Sequence, residues 1–326
     1  MTLTLTMMLL LLLGAIAASL LLGSTTIPVS DAWEALTGHA DSASAQVIRS
    51  LRLPRTLTGI AVGAALGLAG LLIQALTRNP LADPGLIGIS SGAALAVTAG
   101  VLLGLPARGF GAFGAALVGA LAITAAVSAL GGSAAGIDPV RLVLAGVAIT
   151  AVFAGITTAM TLVAPVAFET LRDWNVGSLL AARPEQVGWM LPWIAAGTLA
   201  CLGLARPLDA LALGEEIAAA QGVKVRATRL TALGTVAVLT ATATALAGPI
   251  LFAALIIPHI ARLLVGTGHA RLTLCCLALG PVLILVADVV GRVVVLPGEL
   301  AVGVMTALIG APILVVLIRS RGVVAP

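Results

Sequence analysis

Ten apolar stretches, most near the length of a bilayer core, follow one another along this chain, separated by breaks rich in Pro, Gly or charge. A hydrocarbon core takes about 20 residues of helix to cross, and no water-soluble fold buries so many such runs. The runs fall at 3–22, 56–76, 88–105, 111–131 and 140–163, then 189–205, 230–247, 250–266, 272–290 and 301–318. Only 9% of the 326 residues are charged and mean hydropathy is +1.18, against about 25% charge in a soluble domain. The expected fold class is all-α: a polytopic membrane protein with about ten transmembrane helices, forming one domain over 1–326. With 37 glycines, no Tyr and 3% aromatics, close-packed helices suit the composition better than a barrel girdled by aromatics. A soluble enzyme and a nucleic-acid binder are excluded as main readings, since all but one of the 17 basic residues are scattered Arg with no basic run. Cys201, Cys275 and Cys276 all lie in apolar segments and read as small core hydrophobes.

The first run lacks a preceding basic stretch and exceeds the apolar core of about 7 to 15 residues of a signal peptide, so it is expected to persist as a span. Ten spans place both termini on one side. That side takes Arg78, Arg141, Arg206, Lys224, Arg226, Arg229, Arg262, Arg271, Arg319 and Arg321, leaving seven of the 17 basic residues for the other. Positive charge prefers the cytoplasmic side, so both termini are expected in the cytoplasm. Trp33, Trp174, Trp189 and Trp193 then fall at the outer rim, as interface anchors do.

Two connections are long. The segment 164–188 mixes charged and apolar residues at helical spacing and is expected to lie along the outer interface. The inner loop 206–229 carries Asp209, Glu215 and Glu216 early and Lys224, Arg226 and Arg229 late. It reads as two short helices broken near Gly214 and Gly222, standing clear of the bilayer. A docking surface and a merely solvated loop both fit that charge.

Several residues break the rules of membrane insertion. Arg49, Arg52 and Arg55 crowd the outer edge of the second span and Arg292 the outer edge of the ninth, the wrong side for arginine. A guanidinium grips carboxylates bidentately, so an external acidic partner suits them; lipid headgroups or helix capping are the plainer alternatives. Asp288 and Arg292, four residues apart, fit a structural ion pair on one helix face. His259 after Pro258 reads as a packed polar group rather than a ligand. Gly59, Gly63 and Gly67 recur every four residues and make a smooth face that puts the second span at the centre of the packing. Breaks at 78–90 (RNPLADPGLIGIS) and 247–252 (AGPILF) fit abutting half-helices in two halves of a weak inverted repeat.

The chain has no phosphate-binding G-x-x-x-x-G-K-[ST] loop, no HExxH, no GxSxG, and no array of buried carboxylates and histidines. Catalytic residues, a metal site and a cofactor site are therefore not expected in this chain, and any transport drive must come through a partner.

The strings RLPR (52–55), GAALGLAGLLIQALTRNPLADPGLIGISSGAAL (63–95), DPVRLVLAGVAIT (138–150), GPILFAALIIPHIARLLVG (248–266), AD (287–288) with Arg292, and PGELAVGVMTALIGAPILVVLI (297–318) resemble the FecCD family. These are permease subunits of ABC importers for ferric siderophores, haem and vitamin B12. The resemblance implies a type II ABC importer permease fold with a weak inverted repeat, in the bacterial cytoplasmic (inner) membrane. It implies an assembly of two permeases, identical or homologous, with two ABC ATPases that bind ATP and Mg and one external substrate-binding protein. By resemblance Arg52, Arg55 and Arg292 dock the binding protein. Leu208, Asp209, Ala210, Leu211, Leu213, Gly214, Glu215, Glu216, Ala219 and Gly222 match the coupling helices seated in the ATPases. The fifth and tenth spans line the path, with Ser133, Ile137 and Asp138 at the cytoplasmic gate. Two strings, AALIIPH (253–259) and DWNVGSL (173–179), depart from the family pattern and bear on partner choice. IPVSDAWEALTG (27–38) and RSLRLPRTL (49–57) lean towards the ferric-siderophore branch. From another class, the rival is a proton-coupled secondary transporter using Asp288 and His259.

Overall fold

The computed structural model describes the chain except for residues 1, 39–41, 107–109, 134–135, 138, 181–183, 297 and 320–326. Helix α1 (Thr2–Leu21) leads to two short helices, α2 (Val29–Thr37) and α3 (Ala43–Val47); a π-helical turn, Ile48–Arg52, then runs straight into α4 (Leu53–Thr77). A 3-10 turn, Pro84–Ile87, precedes α5 (Ile89–Leu102) and α6 (Phe110–Gly131). A minimal antiparallel pair, β1 (Gly132–Ser133) with β2 (Gly136–Ile137), separates α6 from α7 (Pro139–Val163). There follow α8 (Pro165–Asn175), α9 (Pro184–Ala212), α10 (Glu215–Ala220), α11 (Val225–Ala247), α12 (Ala253–Val265), α13 (His269–Val294) and α14 (Val302–Arg319).

All ten expected spans are helical. Among the described residues, six helices are long and apolar enough to cross a membrane: 43–77, 110–131, 140–163, 185–212, 225–247 and 269–294. The other four, at 6–21, 89–102, 253–265 and 302–316, are shorter apolar helices.

Helix α4 lies at the centre, with 89% of its most apolar stretch buried against α13, α11, α12 and α9. Its glycines explain how. A Cβ on Gly63 would lie 2.4 Å from the backbone of Gly280, and one on Gly67 would lie 2.9 Å from the Cys276 carbonyl. Gly70 meets the Ala254 backbone more closely still. Small residues here let two helix backbones cross in contact, where packing supplies the attraction that lipid does not. The three cysteines are free and buried, as small core side chains. At the other extreme, only 17% of the apolar stretch of α7 is buried.

One expectation about the loops is corrected. The first part of 206–229 is not a separate short helix, because α9 continues through Pro207 to Ala212. The loop is broken where expected, with Gly214 at φ 125° and Gly222 at φ 82°, conformations that glycine alone adopts without strain.

Candidate functional site

Arg52, Arg55 and Arg292 converge on one carboxylate and one helix end. Helix α1 leaves its last carbonyls without partners in the helix, as every helix does. Arg52 donates from Nη1 to Leu20 O at 2.8 Å and also bonds Thr25 O. Arg292 donates to Ser19 O at 3.0 Å, Leu22 O at 3.2 Å and Ser19 Oγ at 3.0 Å. Two cations at the negative end of a helix dipole are electrostatically favoured. The capping alternative therefore describes part of what these side chains do.

Arg55 and Arg292 share Asp288. Arg55 Nη2 lies 2.8 Å from Asp288 Oδ1, its Nε 3.0 Å from both oxygens, and Arg292 Nη2 2.9 Å from Oδ2. The expected i, i+4 ion pair of Asp288 with Arg292 is thus present, extended by a second cation from α4. Asp288 is wholly buried. Arg55 has a further partner, Glu299 Oε2 at 2.7 Å, on a non-helical strap before α14.

The three arginines expected to dock a partner are 6, 7 and 3% exposed for Arg52, Arg55 and Arg292. They nevertheless line a cleft of about 220 Å³ with Gly23, Ser50, Leu180 and Glu299. Among the described residues, Arg52 bonds only backbone carbonyls and Arg292 Nε has no acceptor.

At the opposite ends of α4 and α13, the segment matched to the coupling helices is pinned by four long-range bonds. Arg78 Nη2 donates to Leu211 O at 2.8 Å. Asp209 Oδ1 accepts from the His269 backbone N–H at 3.0 Å and sits 2.6 Å from its Nδ1, capping the start of α13. Arg229 reaches Glu215 at 2.5 Å. The ten residues matched to the coupling helices divide accordingly. Leu208, Ala210 and Leu211 face the core; Asp209, Leu213, Glu215, Glu216 and Ala219 are exposed, with Gly214 and Gly222 as the hinges at either end of α10. Leu213, just before α10, is 64% exposed and Ile217, within it, 48%, so this corner presents two apolar side chains beside two carboxylates.

The two helix breaks meet. Gln74, buried in α4, donates to Leu255 O at 3.2 Å and, at 3.4 Å, to Ala82 O and Ala254 O; its Oε1 accepts from Arg262. One amide thereby ties 78–88 to 248–255 and neutralises the polar ends of both breaks. Around them opens a cavity of about 620 Å³ lined by Asp83, Ser91, Thr150, Thr157, Phe252 and Leu314, among others. Phe252 is held at φ 65°, a strained state for a bulky residue. Asp83 caps the 3-10 turn through Gly85 N–H at 2.8 Å, while burial pushes its carboxyl up to about 6. His259 is buried on α12 one turn from Arg262. Of the expected gate, Ser133 and Ile137 lie in the β1–β2 pair, and Asp138 is outside the described residues.

Over residues 9–320 the sequence matches the FecCD transport family. The chain belongs to that family. It is 44% identical over 316 residues to the ferric enterobactin transport system permease protein FepD of Escherichia coli (strain K12), covering 96% of this chain and 94% of that one. It is 38% identical over 316 residues to the iron(3+)-hydroxamate import system permease protein FhuB of Bacillus subtilis (strain 168), covering 96% and 81%. Among solved structures, a metal-chelate type ABC transporter in an inward-facing conformation superposes with a TM-score of 0.84 at 29% identity, covering 97% of this chain and 98% of that one. The all-helical fold is therefore that of an ABC importer permease.

Two residues of these clusters, Gln74 and Glu299, were not singled out from the sequence. Gln74 is the only amide side chain in the apolar 56–76 run, a signal that pointed to buried polar work. Glu299 stands inside the PGEL string, with nothing local to reveal that it reaches Arg55, 244 residues away.

Proposed function

We infer that this FecCD-family chain is the membrane permease of a binding-protein-dependent importer that passes a ferric siderophore into the cytoplasm, driven by ATP hydrolysed on separate subunits. The relatives' names supply the cargo class: ferric enterobactin and an iron(3+)-hydroxamate. The assembly comprises two permeases, identical or homologous, with two ATPases and one external binding protein. In this arrangement the membrane is the cytoplasmic one and both termini face the cytoplasm.

The observation that carries the reading is α10. A short helix that exposes Ile217 between Gly214 and Gly222, with exposed Leu213 just before it, is tied to α11 through Glu215 and Arg229 and follows directly on an α9 end pinned beside α4 and α13, and is built to receive force. An exposed apolar patch of this kind suits a protein partner, and Glu215 and Glu216 add charge for register. Rotation of α10 by an ATPase would pass through Glu215 and Arg229 to α11 and, by way of the adjoining end of α9, through Leu211 and Arg78 to the end of α4 and through Asp209 and His269 to the start of α13.

At the other end, the arginine cleft is the entry for an acidic side chain of the binding protein. Three guanidiniums against Asp288 and Glu299 leave one positive charge in excess, and among the described residues Arg52 is held by backbone carbonyls and not by a carboxylate. In this reading α7 and α14 line the path and the turn at 132–138 gates it. The hydroxyl-rich cavity at the breaks lies beside that path, between α5, α7, α12 and α14.

Proton coupling through Asp288 is disfavoured by its geometry. Protonating a carboxylate clamped by Arg55 and Arg292 would strand two buried cations, a costly step in a low-dielectric interior. Haem and vitamin B12 remain the alternative cargoes, separable by which chelate stimulates uptake.

The test is gentle purification of the tagged chain from its own membrane. A stoichiometric P-loop ATPase, lost on deleting 215–220 while the chain still folds, supports the reading. A chain that purifies alone and moves chelate in vesicles without ATP overturns it.

A further inference from the structure

Arg55 is held by two carboxylates of unlike standing. Asp288 comes from the middle of a helix and is wholly buried. Glu299 comes from a non-helical strap, and 29% of its side chain is exposed at the mouth of the arginine cleft. A pair open to solvent exchanges partners readily, whereas a buried one does not. Among the described residues the same cleft carries one unbalanced positive charge and a buried Arg292 Nε without an acceptor.

The strap is also the lead-in to α14. Leu300 N–H bonds Gly291 O on α13 at 3.0 Å, and Gly303 N–H, at the start of α14, bonds Gly177 O at 3.0 Å. A Cβ on Gly291 would lie 2.5 Å from Leu300 O and one on Gly303 2.4 Å from Val176 O, so the strap is seated tightly at both ends. Any shift of Glu299 must therefore move the α13 end, the α14 start, or both. Further along α14, Leu314 lines the cavity at the helix breaks.

We propose that Glu299 is an internal stand-in for a partner's carboxylate: it occupies Arg55 while the cleft is empty, and an acidic side chain of the binding protein displaces it and frees the 298–301 strap to shift α14. Docking and path opening are then one exchange of carboxylates on one guanidinium, with Asp288 keeping Arg55 anchored throughout. This rests on the docking reading above.

The experiment uses the full complex in nanodiscs, measuring binding-protein affinity and ATPase rate without binding protein for Glu299→Gln, Glu299→Asp and Arg52→Gln. Glu299→Gln removes the competing charge while keeping the shape. Its Kd for the binding protein should fall by about three- to tenfold, the size of one half-exposed ion pair, and its ATPase rate without binding protein should rise as the strap loosens. Glu299→Asp retains the charge and should stay within about twofold of wild type in Kd, so a folding defect in one variant does not leave the idea unexamined. Unchanged or weakened binding in Glu299→Gln overturns the proposal. Arg52→Gln separates the two layers: if it leaves affinity untouched, the docking reading itself falls, whereas lost affinity there with an inert Glu299→Gln removes only the stand-in.

Discussion

Replacing Asp288 with Asn separates a structural clamp from a proton carrier. Both carboxylate oxygens are engaged: Oδ1 by Arg55 Nη2 at 2.8 Å, Oδ2 by Arg292 Nη2 at 2.9 Å, and both by Arg55 Nε. Asn offers one acceptor and one NH₂, so whichever way it turns, a donor faces a donor. It also leaves two buried guanidiniums with only Glu299 nearby to offset them. Removing one partner of a buried charge cluster costs about 3 to 5 kcal/mol, and the surviving Glu299 contact places the expectation near the lower end. The assay is reversible denaturation of the chain in lipid or mixed micelles, comparing wild type, Asp288→Asn and Asp288→Asn with Arg292→Met. The single variant should lose about 3 kcal/mol, and the double variant should recover part of that because the stranded cation is gone. A stability within about 1 kcal/mol of wild type, the size of an exposed pair, would refute the clamp and revive Asp288 as a titrating group.

Other perturbations have equally definite outcomes. Gly63→Ala drives a methyl into the Gly280 backbone and should destabilise by about 1 to 3 kcal/mol, while Gly155→Ala, with open space around it, should be neutral or slightly stabilising in the same melt. Leu213→Arg with Ile217→Arg, both exposed on or beside α10, should leave the melt unchanged and abolish ATPase co-purification; retained ATPase would sink the coupling role. Burial raises the Asp83 carboxyl to about 6, so its charged form is disfavoured in the fold, and stability is greatest below the unfolded value and is lost as pH rises through 6. Asp83→Asn should therefore gain on wild type by on the order of 2 kcal/mol as pH rises from about 4 to about 7, and no further above that; a pH-independent difference would contradict it.

The helices were legible because each carries its own signal. Apolar length gave ten segments and all ten are helical; the four-residue glycine spacing in 59–67 foretold that α4 would be crossed at backbone contact. Asp288 and Arg292 were legible as a pair because four residues set them on one helix face. The burial of Arg52 and Arg55 was not, since the groups that cover them, the Leu20 and Thr25 carbonyls and Asp288, lie far away in sequence. For the same reason the anchors of the α9 end and of α10 were hidden: Arg78, His269 and Arg229 come from the end of α4, the start of α13 and α11. The loop 206–229 read as two short helices, yet α9 runs through Pro207 to Ala212, because a proline costs one backbone bond that packing around a long helix can absorb.

The central claim is that transport is powered through α10 by a partner's ATP. The most direct measurement is uptake of a radio-iron siderophore into proteoliposomes holding the purified complex, with binding protein outside and ATP inside. Uptake should require ATP, persist when a protonophore collapses the proton gradient, and vanish with Leu213→Arg and Ile217→Arg. Uptake by the permease alone, without ATP and abolished by the protonophore, would contradict the account.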